Sequence, residues 1–192
     1  MITTEQIKKL RDETGVSIMQ CKKALEEGKG DMAKALVIIQ KQSKAIAAKK
    51  GDRTLGAGSV EAYIHAGGAV GAMVLLGSET DFVSKHDDFK ALTRDIAMHV
   101  AASNPQFLKI EDVSDEDKRV AKEVFAEEVK DKPAAMKEKI LEGKLQAYFK
   151  DRALLEQSFI KNPELTIRDL IEQSTQKFGE KIEIVKFTRF AL

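Results

Sequence analysis

Glu79-Thr80-Asp81-Phe82-Val83-Ser84, residues 79–84, stands between two strongly patterned segments, and the rest of the chain is read outward from it. Before it, Val70 to Leu76 is apolar on both faces, as in a buried central strand. After it, Lys85 to Ala102 carries Phe89, Leu92, Ile96, His99 and Val100 on one helical stripe. Ser84 with Asp87 forms a Ser-x-x-Asp helix start, which predicts Ser84 as the N-cap and the end of the connector. Two readings of Phe82 fit. It folds back onto Phe89 and the core, or it stands exposed beside the Asp81 carboxylate as a binding residue on a short rigid connector.

On the N-terminal side, Val60, Ala62 and Ile64 alternate with Glu61, Tyr63 and His65. This predicts a strand that buries the first set and exposes the second, with His65 a solvated residue beside an Ala66-Gly67-Gly68 turn. The final stretch, Lys181 to Ala191, alternates and is rich in β-branched residues, so it supplies the third strand. The expected core, residues 59–192, is α+β: a small antiparallel three-stranded sheet with helices on one face. Its open edges would suit pairing with a second copy. Two charged helical patterns, Asp115–Lys130 and Ala134–Lys150, predict a projecting helical hairpin at about residues 115–150. Leu154 to Ile160 reads as a short extended segment, and Thr166 opens a helix over Ile167–Lys177.

Residues 51–58 hold three glycines and read as a linker. Residues 1–50 before it predict a three-helix domain. Thr3 with Gln6 and Ser17 with Gln20 are capping boxes, and Asp31 caps the third helix. Cys21 falls on a helical face as a small core residue. Ile18 and Met19 are either core or a small apolar surface beside Lys22 and Lys23.

Charge is uneven: residues 1–50 hold 11 Lys/Arg against 6 Asp/Glu, and the remaining residues hold 21 against 25. The net charge of +1 argues against whole-chain binding to nucleic acid, and the basic run Lys41–Lys50 reads as a solvated helix end. One cysteine permits no intrachain disulfide and fits a reducing, cytoplasmic setting. No run approaches the roughly 20 apolar residues of a membrane span, and the N-terminus lacks the pattern of a secretory signal.

Catalytic motifs are missing. There is no Gly-rich phosphate loop, no Cys/His zinc spacing and no G-x-S-x-G. His86-Asp87-Asp88 are neighbours on a helix and do not converge on one ion. These patterns point to a protein that is not an enzyme, needs no cofactor or metal, and acts by contact with another macromolecule. An adaptor using the three-helix domain, or a ribosome- or RNA-associated protein using Lys41–Lys50, are the alternatives.

Four groups of residues carry a resemblance to translation elongation factor Ts, the guanine-nucleotide exchange factor for elongation factor Tu. Lys8-Lys9-Leu10-Arg11 through Thr14-Gly15, then Met19 and Cys21-Lys22-Lys23-Ala24-Leu25, resemble its ubiquitin-associated-like N-terminal domain. Ala47-Ala48-Lys49-Lys50 resembles the basic end of that domain, and Glu79-Thr80-Asp81-Phe82-Val83 its signature loop. Ile96-Ala97-Met98-His99-Val100-Ala101 and Arg189-Phe190 resemble its core. The resemblance implies that Thr80, Asp81, Phe82 and Val83 disturb the Mg²⁺ and phosphate-binding elements of the partner's G domain. It implies that Met19, Lys22 and Lys23 dock on that domain, and that His65 meets the partner's far domain. It further implies a short, single-core form that homodimerises. Thr188 stands in the last strand, where some short members have a cysteine, so the expected dimer is non-covalent.

Overall fold

In a computed structural model, residues 2–130 and 133–192 are described. Met1 of the three-helix stretch and residues 131–132 of the helical hairpin lie outside them. Three helices open the chain: α1 (Thr4–Thr14), α2 (Ile18–Glu27) and α3 (Met32–Lys50). The capping boxes at Thr3/Gln6 and Ser17/Gln20 form, and Asp31 accepts the Lys34 N–H. Gly15 ends α1 at φ 68°, a left-handed conformation that glycine adopts without a Cβ clash. Leu10, Val16, Cys21, Ala24, Leu25, Ala35 and Ile39 make one small core.

The larger core is built on β1 (Ala57–Ile64), β2 (Val70–Ser78) and β5 (Glu183–Ala191), antiparallel in the order β1-β2-β5. A single turn, α4 (Asp81–Ser84), joins β2 to α5 (Asp87–Ser103). Helix α5 lies across one face of the sheet, and α8 (Ile167–Phe178) joins the same core through Ile167 and Ile171. Ala72, Val74, Leu76, Phe89, Ile96, Val100 and Ile184 fill it. Helix α8 also packs against α3, where the Ser43 hydroxyl meets the Gln176 side-chain amide at 2.5 Å and Lys50 Nζ donates to the Gly179 carbonyl at 2.7 Å.

Helices α6 (Asp115–Glu128) and α7 (Ala134–Lys150) pack together over a satellite core of Val113, Ala121 and Phe149. A second sheet, β3 (Ser158–Phe159) and β4 (Asn162–Thr166), follows. No described helix is long and apolar enough to cross a membrane.

Four expectations are corrected. First, the faces of β1 are reversed: Val60 and Ile64 are exposed and Ala62 lies with them, while Glu61 and Tyr63 are half-buried. Alternation identifies two faces, but the position of α5 decides which is covered, and α5 lies on the Tyr63 side. Second, Ser84 is not the N-cap of α5. It is buried in α4, and His86 caps α5 by accepting the Asp88 N–H at Nδ1, 3.1 Å away. Third, β1 begins at Ala57, inside the stretch read as linker. Fourth, only Ser158 and Phe159 of the segment Leu154–Ile160 are strand; Leu154–Glu156 is a 3-10 turn.

His99 is fully inside the core. Its Nδ1 accepts the Ile160 N–H at 3.4 Å, which leaves Nε2 protonated to donate to Gln157 Oε1 at 3.0 Å. Burial pushes its pKa below the ordinary histidine value, outweighing the opposing Gln157 hydrogen bond. The folded protein therefore refuses a proton that the unfolded chain accepts below about pH 6.5. This contribution to stability is full above that pH and is lost as pH falls through it toward the lower folded value. Urea midpoints measured from pH 7.5 down to 5.5 are expected to fall, and to fall less steeply in His99→Gln.

Candidate partner-binding surface

Strand β2 ends at Ser78, and the next two residues turn the chain outward. The Ser78 hydroxyl donates to the Thr80 carbonyl at 2.9 Å, which fixes the start of α4. Asp81 and Phe82 then lie on the outer side of that turn, and Val83 and Ser84 on the inner side. Phe82 is 81% exposed although it is one of the largest apolar side chains in the protein. Val83 is only 4% exposed and belongs to the main core. It anchors the turn and, in the free chain, has little exposed surface. The open choice for Phe82 is thus resolved toward exposure: Phe89 pairs instead with Phe178, ring centroids 5.8 Å apart.

Asp81 is also exposed. Lys85 Nζ, one turn on, approaches its Oδ2 to 2.6 Å. That hydrogen bond and the lysine charge hold the Asp81 carboxyl below the usual range, so it is ionised at neutral pH. The turn therefore presents one anionic and one aromatic group side by side.

Two carboxylates brace this turn from behind. Thr80, the N-cap of α4, makes no side-chain cap bond to its own turn. Its N–H donates to Glu180 Oε2 at 2.9 Å and its hydroxyl to Glu180 Oε1 at 2.6 Å. Glu79 Oε1 in turn accepts the Lys181 N–H at 2.6 Å, and Arg53 Nη1 reaches both Glu79 oxygens at 3.1–3.2 Å. The Lys181 amide and then Arg53 lower the Glu79 pKa. Sequence reading missed Glu180, Lys181 and Arg53. Their partners lie up to 102 residues away, and no local pattern marks them.

On the three-helix part, Met19 is 82% exposed and Ile18 lies beside it on the surface, next to exposed Lys22 and Lys23. His65 is exposed at the end of β1, its Nδ1 3.2 Å from the Tyr63 hydroxyl. The Phe82 turn, the Met19 patch and His65 lie on three different parts of the chain: α4, α2 and the end of β1. Among the described residues, no three His, Cys, Asp or Glu side chains converge to hold a metal ion.

A further surface was not foreseen. The outer face of the sheet carries Val60, Ala62 and Ile64 of β1, Met73 and Leu75 of β2, and Lys186, Thr188 and Phe190 of β5, apolar but for the last strand's Lys186 and Thr188. Ile64 and Phe190 are each 66% exposed. The sequence signal was present in β2, whose Met73 and Leu75 are apolar where a solvated face would be polar.

A family model described as elongation factor TS matches residues 13–192. An elongation factor Ts of Carboxydothermus hydrogenoformans is 47% identical over 100% of this chain and 89% of that protein. One from Thermodesulfovibrio yellowstonii is 44% identical over 98% of this chain and 95% of its own length. One from Thermosipho melanesiensis is 42% identical over 100% and 99%.

Proposed function

This chain belongs to the elongation factor Ts family, and from that premise we propose that it binds elongation factor Tu and drives release of its GDP during translation elongation. The observation that carries the reading is Phe82, an aromatic ring exposed beside ionised Asp81 on a turn anchored by buried Val83. Such a ring gains from burial only when a partner covers it. In the proposed complex Phe82 wedges against the G domain. The Asp81 carboxylate competes for donors around the Mg²⁺ site. Once the metal bridge is disturbed, GDP loses much of its electrostatic hold.

The Met19, Lys22 and Lys23 patch supplies a second hold on the G domain, and His65 reaches the far domain. Exchange is linkage: the factor binds the nucleotide-free partner more tightly, so nucleotide and factor weaken each other equally. No covalent bond changes, so on this reading the protein is not an enzyme and needs no cofactor. The uncovered apolar face of the sheet suits a second copy packed sheet to sheet, held without a disulfide.

The test is release of a fluorescent GDP analogue from elongation factor Tu. Adding this protein is expected to speed release well beyond the about 30-fold that truncating one aromatic anchor removes. No acceleration, at concentrations high enough to dimerise it, would sink the proposal.

A further inference from the structure

The turn that carries Asp81 and Phe82 is anchored at its inner end by Val83 and has little of its own to hold its Thr80 end. It is a four-residue helix, and one turn of helix fixes several dihedral angles for a single hydrogen bond. Its N-cap residue, Thr80, makes no side-chain cap bond to it. The Ser78 hydroxyl holds the Thr80 carbonyl, and the N–H and side chain of Thr80 are held by a pair of reciprocal contacts with the turn after α8. Glu180 takes the backbone N–H of Thr80, the residue following Glu79. Glu79 takes the backbone N–H of Lys181, the residue following Glu180. Glu180 also takes the Thr80 hydroxyl, and Arg53 grips both oxygens of Glu79.

Each of the two carboxylates receives at least two hydrogen bonds. The arrangement joins three separate parts of the chain. Arg53 lies between α3 and β1, Glu79 and Thr80 follow β2, and Glu180 and Lys181 lie between α8 and β5. Lys181 extends the junction, with its Nζ donating to the Gly51 carbonyl at 2.8 Å.

We propose that Glu180 and Glu79 are positioning residues: they staple the Thr80 end of the turn to the α8–β5 junction and so pre-orient Asp81 and Phe82 for the partner. The functional half of this inference rests on the exchange-factor reading; the structural half does not. Neither glutamate has to touch the partner. Their effect passes through Thr80. A stapled turn meets the partner already ordered, whereas a loose one must be ordered during binding.

Two readouts separate positioning from general weakening. The first is amide hydrogen exchange by NMR on the free protein. Glu180→Ala is expected to speed exchange of the Thr80 amide about tenfold or more, as one lost charge-assisted hydrogen bond implies, with α8 and β5 amides unchanged. The second is GDP release from elongation factor Tu as a function of factor concentration. Glu180→Ala is expected to lower the maximal rate about tenfold. A variant that is merely partly unfolded would keep the maximal rate and need more protein to reach it.

Glu180→Gln keeps one oxygen acceptor and is expected to fall between the two. It carries both measurements if the alanine variant does not fold. An unchanged Thr80 amide overturns the staple. A faster Thr80 amide with an unchanged maximal rate overturns its positioning role. If the unmutated protein accelerates nothing, the exchange reading fails, and the Thr80 amide still decides the staple.

Discussion

Replacing Phe82 by Ala is expected to remove most of the accelerated GDP release while leaving the protein as stable as before. The two halves of this expectation have different physical sources. The ring is 81% exposed in the free protein, so its removal leaves no cavity and strands no polar group. Surface changes of this kind usually stay within about 0.5 kcal/mol of stability. In the complex the same ring becomes a buried anchor, and aromatic anchors at the centre of an interface cost about 2 kcal/mol or more when truncated. That corresponds to about a 30-fold loss or greater. The measurement is release of the fluorescent nucleotide analogue beside a urea melt of each protein. Equal melts with lost exchange would assign the activity to Phe82. Retained exchange would remove Phe82 from the interface and leave the exchange activity to other residues of the surface.

Met73→Lys is expected to convert a dimer into a monomer. Met73 lies on the middle strand, opposite Ala62 on one side and Thr188 on the other, at the centre of the uncovered face. In a single chain its side chain reaches water, so lysine can extend there without harm. Between two packed sheets the ammonium would be buried among Val60, Ile64 and Phe190 of both copies, while Glu183, the carboxylate that the register puts on that face, lies at its far end beside Lys181. Burial of an unpaired charge costs several kcal/mol. The dimer dissociation constant is therefore expected to rise about 100-fold or more. Sedimentation equilibrium reads this directly, because one chain has a mass of 21.3 kDa. A wild-type protein that stays at that mass at high concentration would rule out the dimer. A Met73→Lys variant that remains dimeric would move the contact to another surface.

Local signals in the sequence were legible. The capping boxes at Thr3 and Ser17, the Asp31 cap and the alternation of the last strand each depend on neighbours within a few residues, and each forms. Long-range decisions were not legible. Val60, Ala62 and Ile64 alternate correctly, but only the position of α5 determines that they face outward. Ser84 offers a helix start by its local pattern, but Val83 and Ser84 drop into the core to form a separate turn, and α5 begins only after His86. Strand β4 carries Pro163 and Glu164 and has no assignment from sequence; it pairs with β3 at an edge where proline is tolerated. For the site, the residue types at 81 and 82 were readable and the exposure of the ring was not. The bracing carboxylate at Glu180 lies 100 residues from Thr80 and has no signature at all.

The seam between α3 and α8 has a consequence for how the two proposed contacts cooperate. A short floppy tether would give the second contact an effective concentration of roughly millimolar, diluted by every arrangement that misses the target. Here Ser43 against Gln176 and Lys50 on the Gly179 carbonyl hold the Met19 side of the molecule to the helix that leads into the Glu180 junction. The two contacts then behave as one bidentate ligand with a fixed bite. A partner whose two receptor surfaces match that spacing gains the second contact almost free of entropic loss. A partner whose surfaces move apart must release one of them. Such a ligand responds to the shape of what it grips, so on the proposed two-contact reading the seam would make the protein sensitive to domain rearrangement in its partner as well as to the local chemistry of the nucleotide site.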